Sequence, residues 1–296
     1  MPPTRMLRVH LSPALVKADA LVGSIAVVVD QLRASSTICA ALANGAKEVR
    51  ACLEPMGAMM AKAQYRPGTF ILGGERMGRK IEGFDLGNSP REYTRSTVMG
   101  KTVIFTTTNG TRVLYHTAKA ERVLVGCLAN LDALVELLSV GTGSSEGRDV
   151  SILCAGVNGE VAFEDVLAAG AIASKLLMAP YASSTEDAPP QGSIWRPDDG
   201  ALIAMNAWRR ASMTPDDLLD AMKQSTGGRN LVSIRLSADV AWCTTAAQLR
   251  IVPEFDRQTS SLRATRLPKD PPMESVALES LAVETQVETN DQSGEA

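Results

Sequence analysis

Histidine is nearly missing from this 296-residue chain: only His10 and His116 occur, in unrelated contexts. A histidine phosphatase or a Ser-His-Asp triad therefore lacks its usual parts. The five cysteines (Cys39, Cys52, Cys127, Cys154, Cys243) are scattered, odd in number and never spaced C-x-x-C. That argues against a disulfide frame or zinc site and suits reduced, packed thiols in a cytoplasmic protein. No cysteine has an arginine six residues on, which removes the cysteine-phosphatase loop. Asp30 is followed by Leu32 where a haloacid-dehalogenase-type phosphatase needs a second aspartate, and no Walker lysine loop occurs. Aromatic residues supply only 4%, so a core drawn from the 45% hydrophobic content must be aliphatic. Charge of one sign is also lacking: a formal net charge of −3 gives no whole-chain footprint for nucleic acid, and any anion recognition has to be local. The N-terminus has no secretory apolar core and every long apolar stretch is interrupted by polar residues. A soluble, non-exported protein without membrane contact is expected.

What is present is an alternation of β-branched runs with helical patterns. Ile25–Val29 is a continuous apolar run of the kind buried on both faces of a parallel sheet. A helix-compatible segment from Ser36 to Ala43 stops at Asn44-Gly45, a C-cap signal. Strands are expected at Glu48 to Leu53, Thr102 to Phe105, Arg122 to Val125 and Val150 to Cys154. Helices are expected at Pro55 to Gln64, Gly110 to Ala118, Asn130 to Val140 and Phe163 to Met178. This alternation predicts a three-layer α/β/α fold with a mostly parallel sheet and the active site at the carboxyl edge of the strands.

Breaks at Gly141 to Gly147 and Tyr181 to Gly200 precede a helical portion, about 201–246. Between Gly73 and Pro90, five glycines among paired charges suggest a long irregular loop. Residues 1–257 are expected to form the α/β domain, and the Ser/Thr/Pro-rich, acidic stretch 258–296 a disordered tail.

Three strand-to-helix junctions carry the chemistry. Asp30-Gln31-Leu32-Arg33-Ala34-Ser35-Ser36-Thr37 places a carboxylate at the end of the most hydrophobic strand, where it is costly to desolvate unless paired. Asp30 suits a Mg²⁺ ligand or a nucleophile, or a helix N-cap or partner of Arg33. Arg33, Ser35, Ser36 and Thr37 complement a tetrahedral anion. The second junction, Thr106-Thr107-Thr108-Asn109-Gly110-Thr111-Arg112, supplies hydroxyls, an amide and a counter-charge at a helix head, although Asn-Gly is also a common turn. The third runs from Cys154-Ala155-Gly156 to Glu164-Asp165, where acidic residues are equally expected from the helix dipole. Glu75, Arg76, Lys80 and Asp85 lie in the glycine-rich stretch, as if a backbone were shaped around something.

Four ordered blocks resemble one family. Val27-Val28-Val29-Asp30-Gln31-Leu32-Arg33-Ala34-Ser35, Leu72-Gly73-Gly74-Glu75-Arg76 with Gly83-Phe84-Asp85-Leu86-Gly87-Asn88-Ser89-Pro90, Thr106 to Arg112, and Cys154-Ala155-Gly156 with Glu164-Asp165 are similar to the signature blocks of the 2-phosphosulfolactate phosphatase family, over roughly residues 25–255. The resemblance implies a Mg²⁺-dependent phosphoric monoester hydrolase converting (2R)-2-O-phospho-3-sulfolactate to 3-sulfolactate and phosphate, a step of coenzyme M biosynthesis in methanogens. It implies Asp30, Arg33, Glu75 and Asp85 as catalytic residues. Ser35, Ser36, Arg76, Lys80, Thr107, Thr108, Asn109, Thr111 and Arg112 would bind substrate, and Asp30, Glu164 and Asp165 the metal. The family continues Asp239…Cys243 with an aspartate four residues past the cysteine; Ala247 stands there, while Val252-Pro253 is kept. That departure leaves open a non-catalytic small-anion binder or sensor, or a phosphatase for another short phosphorylated acid. The partner expected is a small anionic substrate, with a homodimer as the commonest assembly.

Overall fold

The computed structural model describes residues 4–17, 19–117, 119–140, 147–179 and 194–268. Most of the expected breaks at 141–147 and 181–200, and the tail beyond residue 268, lie outside the described residues.

β1 (Thr4–His10), β2 (Ile25–Val29), α1 (Ala34–Ala43), β3 (Glu48–Ala51) and α2 (Pro55–Ala61) open the chain. They are followed by β4 (Phe70–Arg76), β5 (Arg79–Lys80), α3 (Arg95–Val98), β6 (Thr102–Thr106), α4 (Gly110–His116) and β7 (Arg122–Val125). Next come α5 (Leu131–Val140), β8 (Val150–Cys154), α6 (Phe163–Met178) and β9 (Ile194–Pro197). Four helices, α7 (Asp199–Ala211), α8 (Pro215–Gln224), α9 (Thr226–Ser233) and α10 (Ser237–Thr244), precede the closing strands β10 (Pro253–Asp256) and β11 (Ser261–Ala264).

The strands form one sheet in the order β5-β4-β6-β3-β11-β10-β7-β2-β8-β1-β9. β4, β6 and β3 are mutually parallel, as are β7, β2, β8, β1 and β9. The hairpin β10–β11 joins the two groups through antiparallel pairings on both sides. Three antiparallel steps reverse direction, so the two parallel groups run in opposite senses along the ladder. Helices cover both faces, which makes the fold a three-layer α/β protein. One face buries Val27, Leu124 and Ile152 against α5, α6 and α7, and the other buries Val28, Val49, Val103 and Phe105 against α1 and α4.

α1 explains how the two groups cooperate. Its sequence ASSTICAALA is composed mostly of small side chains, and every residue from Ala34 to Leu42 is buried. A helix buried all round cannot be amphipathic, and small residues let it lie close against strands from both groups. Its hydroxyls are satisfied within the fold: Ser35 Oγ accepts from Asp30 N–H at 2.9 Å, Ser36 donates to Gln31 C=O at 3.0 Å, and Thr37 donates to Asn88 C=O at 3.0 Å.

Two sequence expectations are corrected. The stretch from Gly73 to Arg76 is not loop but the end of β4. Its glycines are required by packing, since a Cβ at Gly73 would meet Tyr93 Oη at 2.1 Å and one at Gly74 would meet Thr106 C=O at 2.1 Å. The fold also does not stop at residue 257. β11 lies inside the sheet between β3 and β10, Leu262 is fully buried, and Leu267 packs into the core. Alternation over Ser261–Ala264 is too short to stand out from a polar composition, and only long-range pairing stabilises it.

Candidate active site

Strand ends from both parallel groups meet at one cleft of about 370 Å³. Asp30 and Arg33 enter it from the end of β2, Glu75 from the end of β4, Gly78 from the β4–β5 turn, and Thr108 and Asn109 from the head of α4. Asn158, after β8, and the first turn of α9 complete the wall. A larger apolar groove, about 690 Å³, lies between α5, α6 and α7. Its charged residues Lys175, Asp132 and Glu136 are held in surface ion pairs, so it lacks the convergent chemistry of the smaller cleft.

Asp30 is 9% exposed. Its Oδ1 accepts from the Ala34 N–H at 3.2 Å, tying the carboxylate to the head of α1. Oδ2 accepts no hydrogen bond among the described residues and lies against Gly110, where a Cβ would come within 2.7 Å of it. The Asn109-Gly110 pair therefore does more than turn the chain: only glycine leaves room for this carboxylate. Burial, eased by the Ala34 N–H and reinforced by the charges of Glu75 and Glu164, pushes the Asp30 carboxyl up to about 7.

Glu75 braces the cleft. Its Oε1 accepts from the Thr108 N–H at 2.8 Å and hydroxyl at 3.0 Å, and its Oε2 from the Gly78 N–H at 2.6 Å. The β4–β5 turn is thereby fastened to the α4 junction. Glu164, 1% exposed, accepts from the Gly227 N–H at 2.9 Å through Oε1, while its buried Oε2 has no partner. Burial raises its carboxyl above the usual range. Asp165 sits differently from the metal ligand expected of it: Oδ1 accepts from Gln31 N–H at 2.7 Å and Oδ2 from Gly156 N–H at 2.9 Å. Both oxygens bind backbone, joining the ends of β2 and β8.

No three His, Cys, Asp or Glu side chains among the described residues form a ready-made metal cage. The donor set still fits a hard divalent cation that keeps several waters. Such an ion needs only one or two carboxylates, and the open Asp30 Oδ2 and the unpartnered Glu164 Oε2 offer two. The cleft's cation Arg33 is itself paired with Asp239, and its charge offsets only part of the burial that raises the Asp30 carboxyl.

Other expected site residues are placed outside the cleft. Ser35 and Ser36, in the first turn of α1, bond the backbone of Asp30 and Gln31, and Thr107 and Thr111 bond each other's backbone in the turn before and within α4. Asp85 is exposed and caps β4 by accepting from Leu72 N–H at 2.8 Å. Lys80, also exposed, reaches only Asp85 C=O among the described residues, at 3.5 Å. Arg76 and Arg112 both turn to Glu54, at 3.3 and 3.0 Å. Arg112 is 59% exposed there, so the counter-charge expected at the second junction faces solvent instead. Alternation explains Arg76: adjacent strand residues point to opposite faces, and Glu75 takes the cleft side.

Sequence reasoning missed the first turn of α9 and Asp239. The available signal was Gly227-Gly228 behind Ser225 in a helical segment, since paired glycines disfavour helix unless something approaches closely. A Cβ at Gly227 would meet Glu164 Oε1 at 2.1 Å, and one at Gly228 would meet Met222 C=O at 1.8 Å. Ala247 is exposed on the connection after α10, holds a left-handed φ of 55°, and donates its N–H to Leu128 C=O at 2.8 Å. It does not line the cleft. Aspartate adopts that conformation more readily than alanine.

The family model described as 2-phosphosulpholactate phosphatase matches residues 10–258. Among curated relatives, a protein of Caldanaerobacter subterraneus subsp. tengcongensis named "Probable 2-phosphosulfolactate phosphatase" is 39% identical over 229 residues, 77% of this chain and 86% of its own length. A protein of the same name from Symbiobacterium thermophilum is 37% identical over 241 residues, 80% of this chain and 94% of its own. The one from Clostridium perfringens is 32% identical over 249 residues, covering 83% and 92%. With four sequence blocks folded around a single cleft and a match running through nearly all the described strands, the chain belongs to the 2-phosphosulpholactate phosphatase family.

Proposed function

We propose that this chain is a Mg²⁺-dependent phosphomonoester hydrolase that converts (2R)-2-O-phospho-3-sulfolactate to 3-sulfolactate and inorganic phosphate. The observation that carries the reading is the Asp30 carboxyl, set at the floor of a small polar cleft with one oxygen open and its proton affinity raised to about 7. Arg33 presents a guanidinium to the same space and suits the phosphate, sulfonate or carboxylate of the substrate. The Thr108 and Asn109 side chains flank it, and Glu75 holds that wall in place. Asp30 and Glu164 would hold the cation, which when bound neutralises phosphate charge and orients the attacking oxygen.

Substrate anions entering a cleft rich in carboxylates would be repelled unless such a charge balanced them. That is the physical reason for including Mg²⁺ in the proposal. The buried state of all five cysteines supports a reducing, cytoplasmic setting. No described helix is long and apolar enough to cross a membrane. The reading as a non-catalytic anion binder rested on Ala247, and its position outside the cleft removes that motive.

The decisive experiment is phosphate release from a panel of phosphorylated short-chain acids, with Mg²⁺ and with EDTA. Turnover of phosphosulfolactate above the other acids, abolished by EDTA and restored by Mg²⁺, is expected. Release that ignores EDTA would remove the metal from the proposal, and no release from any acid would remove the enzyme.

A further inference from the structure

Asp239 is 1% exposed, in the first turn of α10, and does not itself line the cleft. Its Oδ2 accepts from Arg33 Nη1 at 2.6 Å, and its Oδ1 accepts from the Ser89 hydroxyl at 2.7 Å. Arg91 Nη1 stands 3.9 Å from the same Oδ1, at the surface. Arg33 has one further anchor, Nη2 donating to Gly78 C=O at 2.8 Å in the β4–β5 turn. A guanidinium is a rigid planar fork with five N–H donors, so two anchors on different nitrogens fix its plane and leave other donors for a ligand. One helical turn beyond Asp239, the Cys243 C=O accepts from Gln31 Nε2 at 2.6 Å. Residues four apart share a helix face. That face of α10 therefore holds the Asp30–Arg33 segment at two points, on either side of Leu32.

We propose that Asp239 is the positioning residue of the anion subsite, acting through Arg33: it sets the guanidinium in the cleft and, through Ser89, ties it to the turn after β5. A buried ion pair adds little to stability over well-packed apolar residues. A pair that locks the only guanidinium lining the cleft among the described residues is better accounted for by orientation. The inference rests on the reading of this cleft as the phosphosulfolactate site.

The test is a double-mutant cycle of Asp239→Asn and Arg33→Met, reading both the KM for phosphosulfolactate and the Kd for 3-sulfolactate by calorimetry. Asp239→Asn keeps shape and removes charge. It is expected to raise KM and Kd about tenfold or more, as does Arg33→Met. In the Arg33→Met background it should change Kd by less than about twofold, because the group it positions is gone. Wild-type Kd in Asp239→Asn, or an equal loss in both backgrounds, would overturn the proposal. If Asp239→Asn shows no cooperative melt, Ser89→Ala decides. A Kd raised about threefold or more in wild type and unchanged in Arg33→Met supports positioning, and an unchanged Kd in wild type overturns it. Wild-type protein that binds 3-sulfolactate without hydrolysing the phosphoester would sink the functional reading while the Kd comparison still settles Asp239. Wild-type protein that does not bind 3-sulfolactate overturns the Asp239 proposal.

Discussion

Single residues divide into those whose sequence context announced their role and those whose neighbours were only supplied by folding. Asp30 belongs to the first kind: a carboxylate ending a run of five buried apolar residues needs a reason to be there. Asp30→Asn is expected to abolish phosphate release while the chain remains folded, because almost no volume changes. Tenfold more Mg²⁺ should restore part of the activity if the carboxylate only holds the cation, and none if it attacks phosphorus. Near-normal turnover in the mutant would exclude both roles. Arg112 belongs to the second kind. Its position in a Thr/Asn-rich junction implied anion binding, yet its side chain reaches Glu54 at the surface. Arg112→Ala should leave kcat/KM within about twofold of wild type, since an exposed ion pair contributes little. A loss of an order of magnitude or more would show that the arginine swings into the cleft.

At the scale of elements, local pattern predicted the strands of the two parallel groups better than the hairpin that joins them. Arg122–Val125, Val150–Cys154 and Phe163–Met178 fall where periodicity placed them, because each is a continuous apolar run or a long helical pattern. β11 is only four residues long, SLRA, and sits in a polar stretch. Deleting the chain after Arg257 would remove a strand paired on both sides, with Leu262 buried and Arg263 pairing with the buried Glu48. The expected result is an insoluble product or a Tm lower by about 10 °C or more. An unchanged melting curve would mean that β3 and β10 pair adequately without it.

For the whole molecule, residues following strands of both parallel groups bring buried carboxyls together at and beside one cleft. Burial raises the carboxyls of Glu164 and Asp165, and burial together with its acidic neighbours raises Asp30 from 3.8 to about 7. A carboxyl with a raised folded-state value is bound to its proton more tightly in the native protein. The stability it contributes is fully present below the unfolded value and disappears as pH rises through about 7. Without divalent cation, stability should therefore fall between about pH 4 and pH 7, by a few kcal/mol in the ordinary conversion of such shifts. Mg²⁺ should raise Tm at about pH 8 and have little effect at about pH 4, where the carboxyls carry protons. A stability that rises steadily from acid to neutral pH, with no response to Mg²⁺, would contradict this arrangement of buried carboxyls.

The amino-acid sequence by itself determined the α/β alternation, the family and the three junctions. It did so because strand burial, helix capping and turn chemistry are local and leave periodic or compositional traces. It also singled out Asp30, Arg33, Glu75, Thr108, Asn109 and Glu164, which the fold brings to or beside the cleft. Only the tertiary structure decided which neighbours face which way: that Glu75 turns inward and Arg76 outward, that Asp165 binds two amides, and that Asp239 lies 2.6 Å from Arg33 across 206 positions of chain. It also decided that a short polar hairpin joins the two halves of the sheet. Contacts across such sequence separation leave no local period, because they are selected by packing and by the cost of leaving a buried charge without a partner.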